Sequence, residues 1–286
     1  MIEANNEMKT INWNKLASLD RRWIYLSVAI TVTIPIIVPV HTPIGITPEA
    51  QQLYDTVEAI PDGSTVMLTF DYYASALPET EPASRAALHH LFRKNCKVLT
   101  MTTIPLGGPS ISERVTRDVA KDYNKVYGVD FVNLGFKPNY VAVLSGMGSS
   151  IKAIYPADNS GTPLEQLPMM DGINNYDEID FIFVVSDNAI VDYWISIVNA
   201  QFHTPVGAAV TAVSAPKYFP FVASKQLQGL LGGMKGAAEY EILVGKSASA
   251  VKGMDAQSLV HFLIIAMVIM GNVGYFMSRK KSGVGR

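Results

Sequence analysis

Disulfide chemistry is missing from this sequence. Cys96 is the single cysteine among 286 residues, so no intrachain disulfide can form. That usage fits a prokaryotic domain outside the cytoplasm better than a small eukaryotic secreted one. Excess charge is missing too. Lys and Arg number 23 against 25 Asp and Glu, a net charge of −2, which argues against nucleic acid as a partner because phosphate binding needs a concentrated basic surface. There is no Gly-x-Ser-x-Gly elbow, no His-Glu-x-x-His, and no phosphate-loop or dinucleotide fingerprint. His41, His89, His90, His203 and His261 are scattered, and the neighbours His89 and His90 would point in different directions on a helix. No catalytic residue, metal ligand or cofactor is therefore assigned. Internal repeats and long charge runs are also absent.

What is present begins with an apolar run over 23–40 that contains no Asp, Glu, Lys or Arg. At about 1.5 Å per residue it can just cross a hydrocarbon core of roughly 30 Å. Arg21 and Arg22 precede it, and no Lys or Arg follows until Arg85. Its length, its long leader and the lack of an Ala-x-Ala site favour an uncleaved anchor over a signal peptide. A second apolar run covers 259–277 and is followed by Arg279, Lys280 and Lys281. Basic residues at the outer flank of each run predict both termini in the cytoplasm and the middle of the chain outside. The expected organisation is a tail over 1–22, a transmembrane helix over 23–40, an extracytoplasmic domain over 41–253, a second transmembrane helix over 254–278 and a basic tail over 279–286. His261 and Asn272 are polar members of the second run, and interhelical hydrogen bonding is their expected role.

About 210 residues separate the runs, enough for one sizeable core. Apolar stretches at 64–70, 97–104, 140–144, 179–185 and 206–213 read as strands, with helices over 81–95, 110–127 and 189–202 between them. Thr47-Pro48-Glu49 reads as a helix start capped by Thr47. Buried strands alternating with helices predict an α/β domain, a Rossmann-like or flavodoxin-like three-layer sandwich with a mainly parallel sheet. The stretch 156–177 interrupts the alternation, and 214–221 reads as a loop. Over 225–240 a glycine-rich helix is expected, with Gly229, Gly232, Gly233 and Gly236 on one small-residue face. Glycine costs about 1 kcal/mol per helical position, so close approach of another backbone is the expected compensation, either inside the chain or between copies.

Two groups are candidate ligand-binding residues. Ser145, Gly146, Gly148, Ser149 and Ser150 follow the strand expected at 140–144, where backbone N–H groups could receive a small anionic ligand. Asp71 and Asp187 each follow an apolar strand and so belong at the carboxyl edge of the sheet, where open α/β folds bind ligands. Helix capping is the plainer role for Asp187. The reading that results is a non-enzymatic, two-pass membrane component whose outer domain binds a partner or assembles with copies of itself. The alternatives are an anchored enzyme or small-ligand receptor with its site at the sheet edge, and an oligomeric channel or transporter subunit.

Overall fold

Six short apolar runs become six strands: β1 Thr65–Asp71, β2 Lys97–Thr102, β3 Phe131–Phe136, β4 Phe181–Ser186, β5 Val206–Val210 and β6 Leu230–Gly232. The computed structural model describes residues 20–38, 40, 42–246 and 248–282, with side chains as far as 276. Of the expected tail over 1–22, residues 1–19 lie outside the described residues, as do His41 and the side chains of the basic tail, while Arg21 and Arg22 already belong to a helix. Two units divide the chain: Pro43–Val251, and Met1–Thr42 with Lys252–Arg286.

In the Pro43–Val251 unit every strand pairing is parallel, in the order β3-β2-β1-β4-β5-β6. This is the Rossmann-like order, whose direction of winding reverses between β1 and β4. The helices are α2 Pro48–Ala59, α3 Leu77–Arg93, α4 Gly108–Asp122, α5 Tyr140–Met147, the short α6 Ile151–Ile154, α7, α8 Ala215–Ala223 and α9 Gly233–Val244. Helix α7 starts at Ile190–Tyr193, is wound as a π-helix over Trp194–Asn199 and ends in Ala200–Phe202. Side chains of a strand alternate between faces. Accordingly Phe183 of β4 meets Tyr240 of α9 on one face, while Met67, Ile182 and Val184 join Leu144, Tyr155 and Trp194 in the core of the other.

Several expectations need correction. The stretch 140–144 is helix, not strand; β3 lies earlier, at Phe131–Phe136. Asn133 and Gly135 interrupt the apolar pattern there and hide it. Residues 214–221 are mostly helix α8, which Pro216 can join because a proline near a helix start loses no needed bond. Thr47 does not cap α2; its hydroxyl donates to Glu239 Oε2 at 2.6 Å. The irregular 156–177 stretch buries Leu164, Met169, Met170 and Tyr176 in the core.

The glycine-rich helix over 225–240 is the largest departure. Only Gly233 and Gly236 belong to a helix; Gly232 ends β6, and Gly229 precedes that strand. Gly229 has φ +142° and Gly233 φ +61°, which breaks any helix through them. A Cβ at Gly229 would lie 2.5 Å from the backbone nitrogen of Leu53, and one at Gly236 2.8 Å from backbone atoms of Leu231. The four glycines therefore share no helical face, and the backbone they approach most closely is the chain's own.

In the other unit, α1 runs Arg21–Ile37 and α10 runs Ser249–Ser282, the latter beginning three residues before the unit boundary. Helix α1 stops before 40 because Val38 precedes a proline and is held extended. Its 17 residues span about 25 Å, short of the crossing expected over 23–40. Among the described residues one helix is long and apolar enough to cross a membrane, Ser249–Phe276. Asp255 is buried here, and its carboxylate accepts from the Val40 amide at 3.1 Å and from the Thr42 amide and hydroxyl at 2.8 and 2.5 Å.

Candidate active-site crevice at the sheet reversal

At the carboxyl ends of β1 and β4 the winding reverses and a crevice opens, of about 290 Å³. Tyr73, Thr103, Tyr140, Asn188 and Tyr193 line it with Ile104, Ala189 and Ile190. Its position follows from topology: loops after β1 and β4 turn to opposite faces and leave a gap.

Asp71 does not line this crevice but is buried beside it, bonded to Thr103 of its wall. It is the last residue of β1 and has no exposed surface. One carboxylate oxygen accepts from the Thr103 amide at 2.6 Å and hydroxyl at 2.9 Å; the other accepts from Trp194 Nε1 at 3.3 Å. Burial pushes the carboxyl above the usual carboxylate range, against the pull of these donors. Asp71 thus ties the loop after β2 to α7. The π-wound stretch begins at Trp194, immediately after Tyr193. Tyr193 is left to the crevice while Trp194 turns into the core.

Asp187 does not cap α7. Its carboxylate accepts from the Tyr73 amide at 2.9 Å and from Asn188 Nδ2 at 3.1 Å. Asn188 takes the helix start instead, its Oδ1 accepting from the Ile190 amide at 2.9 Å, while Nδ2 also donates to the Asp71 carbonyl at 2.8 Å. The two aspartates are joined through Asn188 and the backbone, and the hydrogen bonds of their carboxylates run to different loops. Among the described residues no group of His, Cys, Asp and Glu could hold a metal ion.

The segment Ser145 to Ser150 does not join them. Ser145 and Gly146 belong to the last turn of α5, the negative end of its dipole. The amides of Gly148, Ser149 and Ser150 are spent on the carbonyls of Ser145 and Gly146. Ser150 caps α6 through the Ala153 amide at 3.1 Å. A Cβ at Gly148 would meet the Phe202 ring at 2.1 Å, so this glycine serves packing. The anion cradle expected here lacks its geometry. Nor does the β1–α3 loop supply one, since 72–76 contains no glycine to bring backbone close to a pyrophosphate.

Sequence reading missed Tyr73, Thr103, Tyr140, Asn188 and Tyr193. Tyr140 and Tyr193 stack edge to face with centroids 4.8 Å apart, and Tyr140 is held above the usual tyrosine range by its hydrogen bond to Tyr193. Asn188 is the second residue after β4 and could have been flagged by its place at the sheet edge. The tyrosines carry no sequence signal of their own. In α10, Asn272 Nδ2 donates to the Val268 carbonyl of its own helix at 2.9 Å, and His261 is exposed.

The fold therefore defines an α/β protein of Rossmann-like strand order with an uncharged, tyrosine-lined crevice at its reversal point. Comparison with family models, with curated proteins and with solved structures gave no match.

Proposed function

We propose that the chain is a membrane-anchored binding component: α10 and α1 hold it in the bilayer, and the Rossmann-like domain, outside the cytoplasm, takes a small neutral ligand in the tyrosine-lined crevice. The anchoring half rests on one observation. Over 259–276 helix α10 is apolar on every side apart from His261 and Asn272 and is mostly uncovered, with Phe262 70%, Ile269 57% and Phe276 65% exposed. Apolar area costs about 25 cal/mol per Å² in water, so such a helix requires lipid or other helices around it. The orientation is the one that the flanking basic residues favour. The binding half rests on the crevice: aromatic walls with a hydroxyl and an amide suit a ring-bearing, uncharged molecule. Non-enzymatic binding is preferred because, among the described residues, no serine, threonine or cysteine hydrogen-bonds a histidine, and both oxygens of Asp71 are engaged.

Topology is tested by cysteine labelling, which the buried position of Cys96 leaves uncluttered. In intact cells, Gln226→Cys should react with an impermeant maleimide and Ser282→Cys should react only after lysis. The reverse pattern would sink the orientation. For binding, ligands identified by thermal-shift screening of neutral sugars and aromatics should shift wild type and not Tyr193→Ala. A second reading is self-association through α10, favoured by the open space beside Gly271 and by the same uncovered apolar surface; a discrete oligomer mass in detergent would support it.

A further inference from the structure

A second cavity, of about 300 Å³, lies away from the crevice, between the carboxyl ends of β5 and β6, helices α8 and α9, and the start of α2. That volume is at the small end for ligand sites, roughly 300–1,000 Å³. Pro216, Phe219 and Leu230 form apolar walls, and Gly232 and Gly236 leave bare backbone as another.

Charge is concentrated at this cavity. Glu239 is only 1% exposed, and its carboxylate accepts from the Thr47 hydroxyl and from Lys235 Nζ. Lys235 also donates to the Gly45 carbonyl at 3.2 Å. Glu49 borders the same space. Two carboxylates and one ammonium line the cavity, and that ammonium is already paired with Glu239. An anion entering here would meet an excess of negative charge; a cation would offset it. Phe219 adds an aromatic face, which also attracts cations.

We propose that this cavity binds a small organic amine, its protonated nitrogen against Glu49 and its hydrocarbon body against Phe219 and Leu230, with the paired Glu239 and Lys235 behind them. The site is independent of the crevice, and it stands whether or not the crevice takes a ligand.

The test is calorimetric titration of the full-length protein in detergent at pH 7, using phenethylamine and its anionic counterpart 3-phenylpropionate. Phenethylamine should bind saturably at one site per chain, and phenylpropionate should bind at least about tenfold more weakly, a difference of about 1.4 kcal/mol. Glu49→Gln should weaken phenethylamine about fivefold, by loss of one charge. Ala212→Trp, at an exposed position on the cavity wall, should abolish binding with the melting temperature kept. Should that variant fold poorly, Phe219→Ala, also at an exposed position, should weaken binding several-fold. Equal affinity for the two compounds, no saturable heat with phenethylamine, or binding that survives both wall substitutions would overturn the proposal.

Discussion

His90 has no exposed side-chain surface, yet it touches a carboxylate: its Nε2 lies 2.7 Å from Glu58 Oε2 and its Nδ1 2.8 Å from the Tyr240 hydroxyl. A carboxylate needs a donor, so Nε2 carries the proton and Nδ1 accepts from Tyr240. The neutral ring satisfies both neighbours, and burial pulls its pKa down to about 4 against the opposing pull of Glu58. Because the folded value lies below the unfolded one, the unfolded chain takes up the proton first on acidification. Stability should be full above about pH 6.5 and fall by up to about 3 kcal/mol toward pH 4, as read by urea melts across that range; His90→Gln should flatten the profile. Asp71 makes a second prediction at this scale. Asn at 71 supplies one acceptor where the protein presents three donors, so Asp71→Asn should cost about 1–3 kcal/mol and alter the emission of Trp194. Sequence reading placed Asp71 and Asp187 at the sheet edge from their strands alone. It could not see the cap pass to Asn188, because a single-residue shift of the helix start decides which side chain reaches the free amides.

Helices and strands were legible where apolar residues ran without interruption, as in β1, β2, β4 and β5. They were obscured where glycine served packing. Over 225–240 the leucines at helical spacing mimic a helix, but Gly229 at φ +142° and its approach to Leu53 turn the chain into β6 instead. Gly207 makes room for the same residue: a Cβ there would lie 2.3 Å from Leu53 Cδ1. Gly229→Ala should therefore destabilise the domain by more than about 2 kcal/mol, through both the φ it must hold and the clash, as measured by thermal melting. An unchanged melt with altered oligomer size would return the glycines to a role between copies. β3 went unread because Asn133 serves neighbouring groups: its Nδ2 donates to Glu113 Oε2 at 2.8 Å and its Oδ1 accepts from the Gly135 amide at 3.0 Å.

For the whole molecule, the boundaries matter most. Glu241 is buried near the end of α9, and its carboxylate accepts from the amides of Ala248, Ala250 and Val251 at 2.9, 3.0 and 3.0 Å. Burial raises its pKa against those three donors. A fragment covering 43–251 should fold, while 43–246 loses all three of these hydrogen bonds and should be less stable by about 1–3 kcal/mol; comparative denaturation of the two fragments checks this. The strand order has a consequence in time. β1 pairs with β2 after a single helical crossover, but its other edge belongs to β4, at 181–186. A nascent chain can complete the β3-β2-β1 half while the outer edge of β1 stays open, and that edge closes only when β4 is made, about 50 residues after β3 ends. During this interval the half-sheet is a template for any passing strand. Synthesis that stalls before residue 181 should leave a sticky intermediate, and synthesis that continues should bury it.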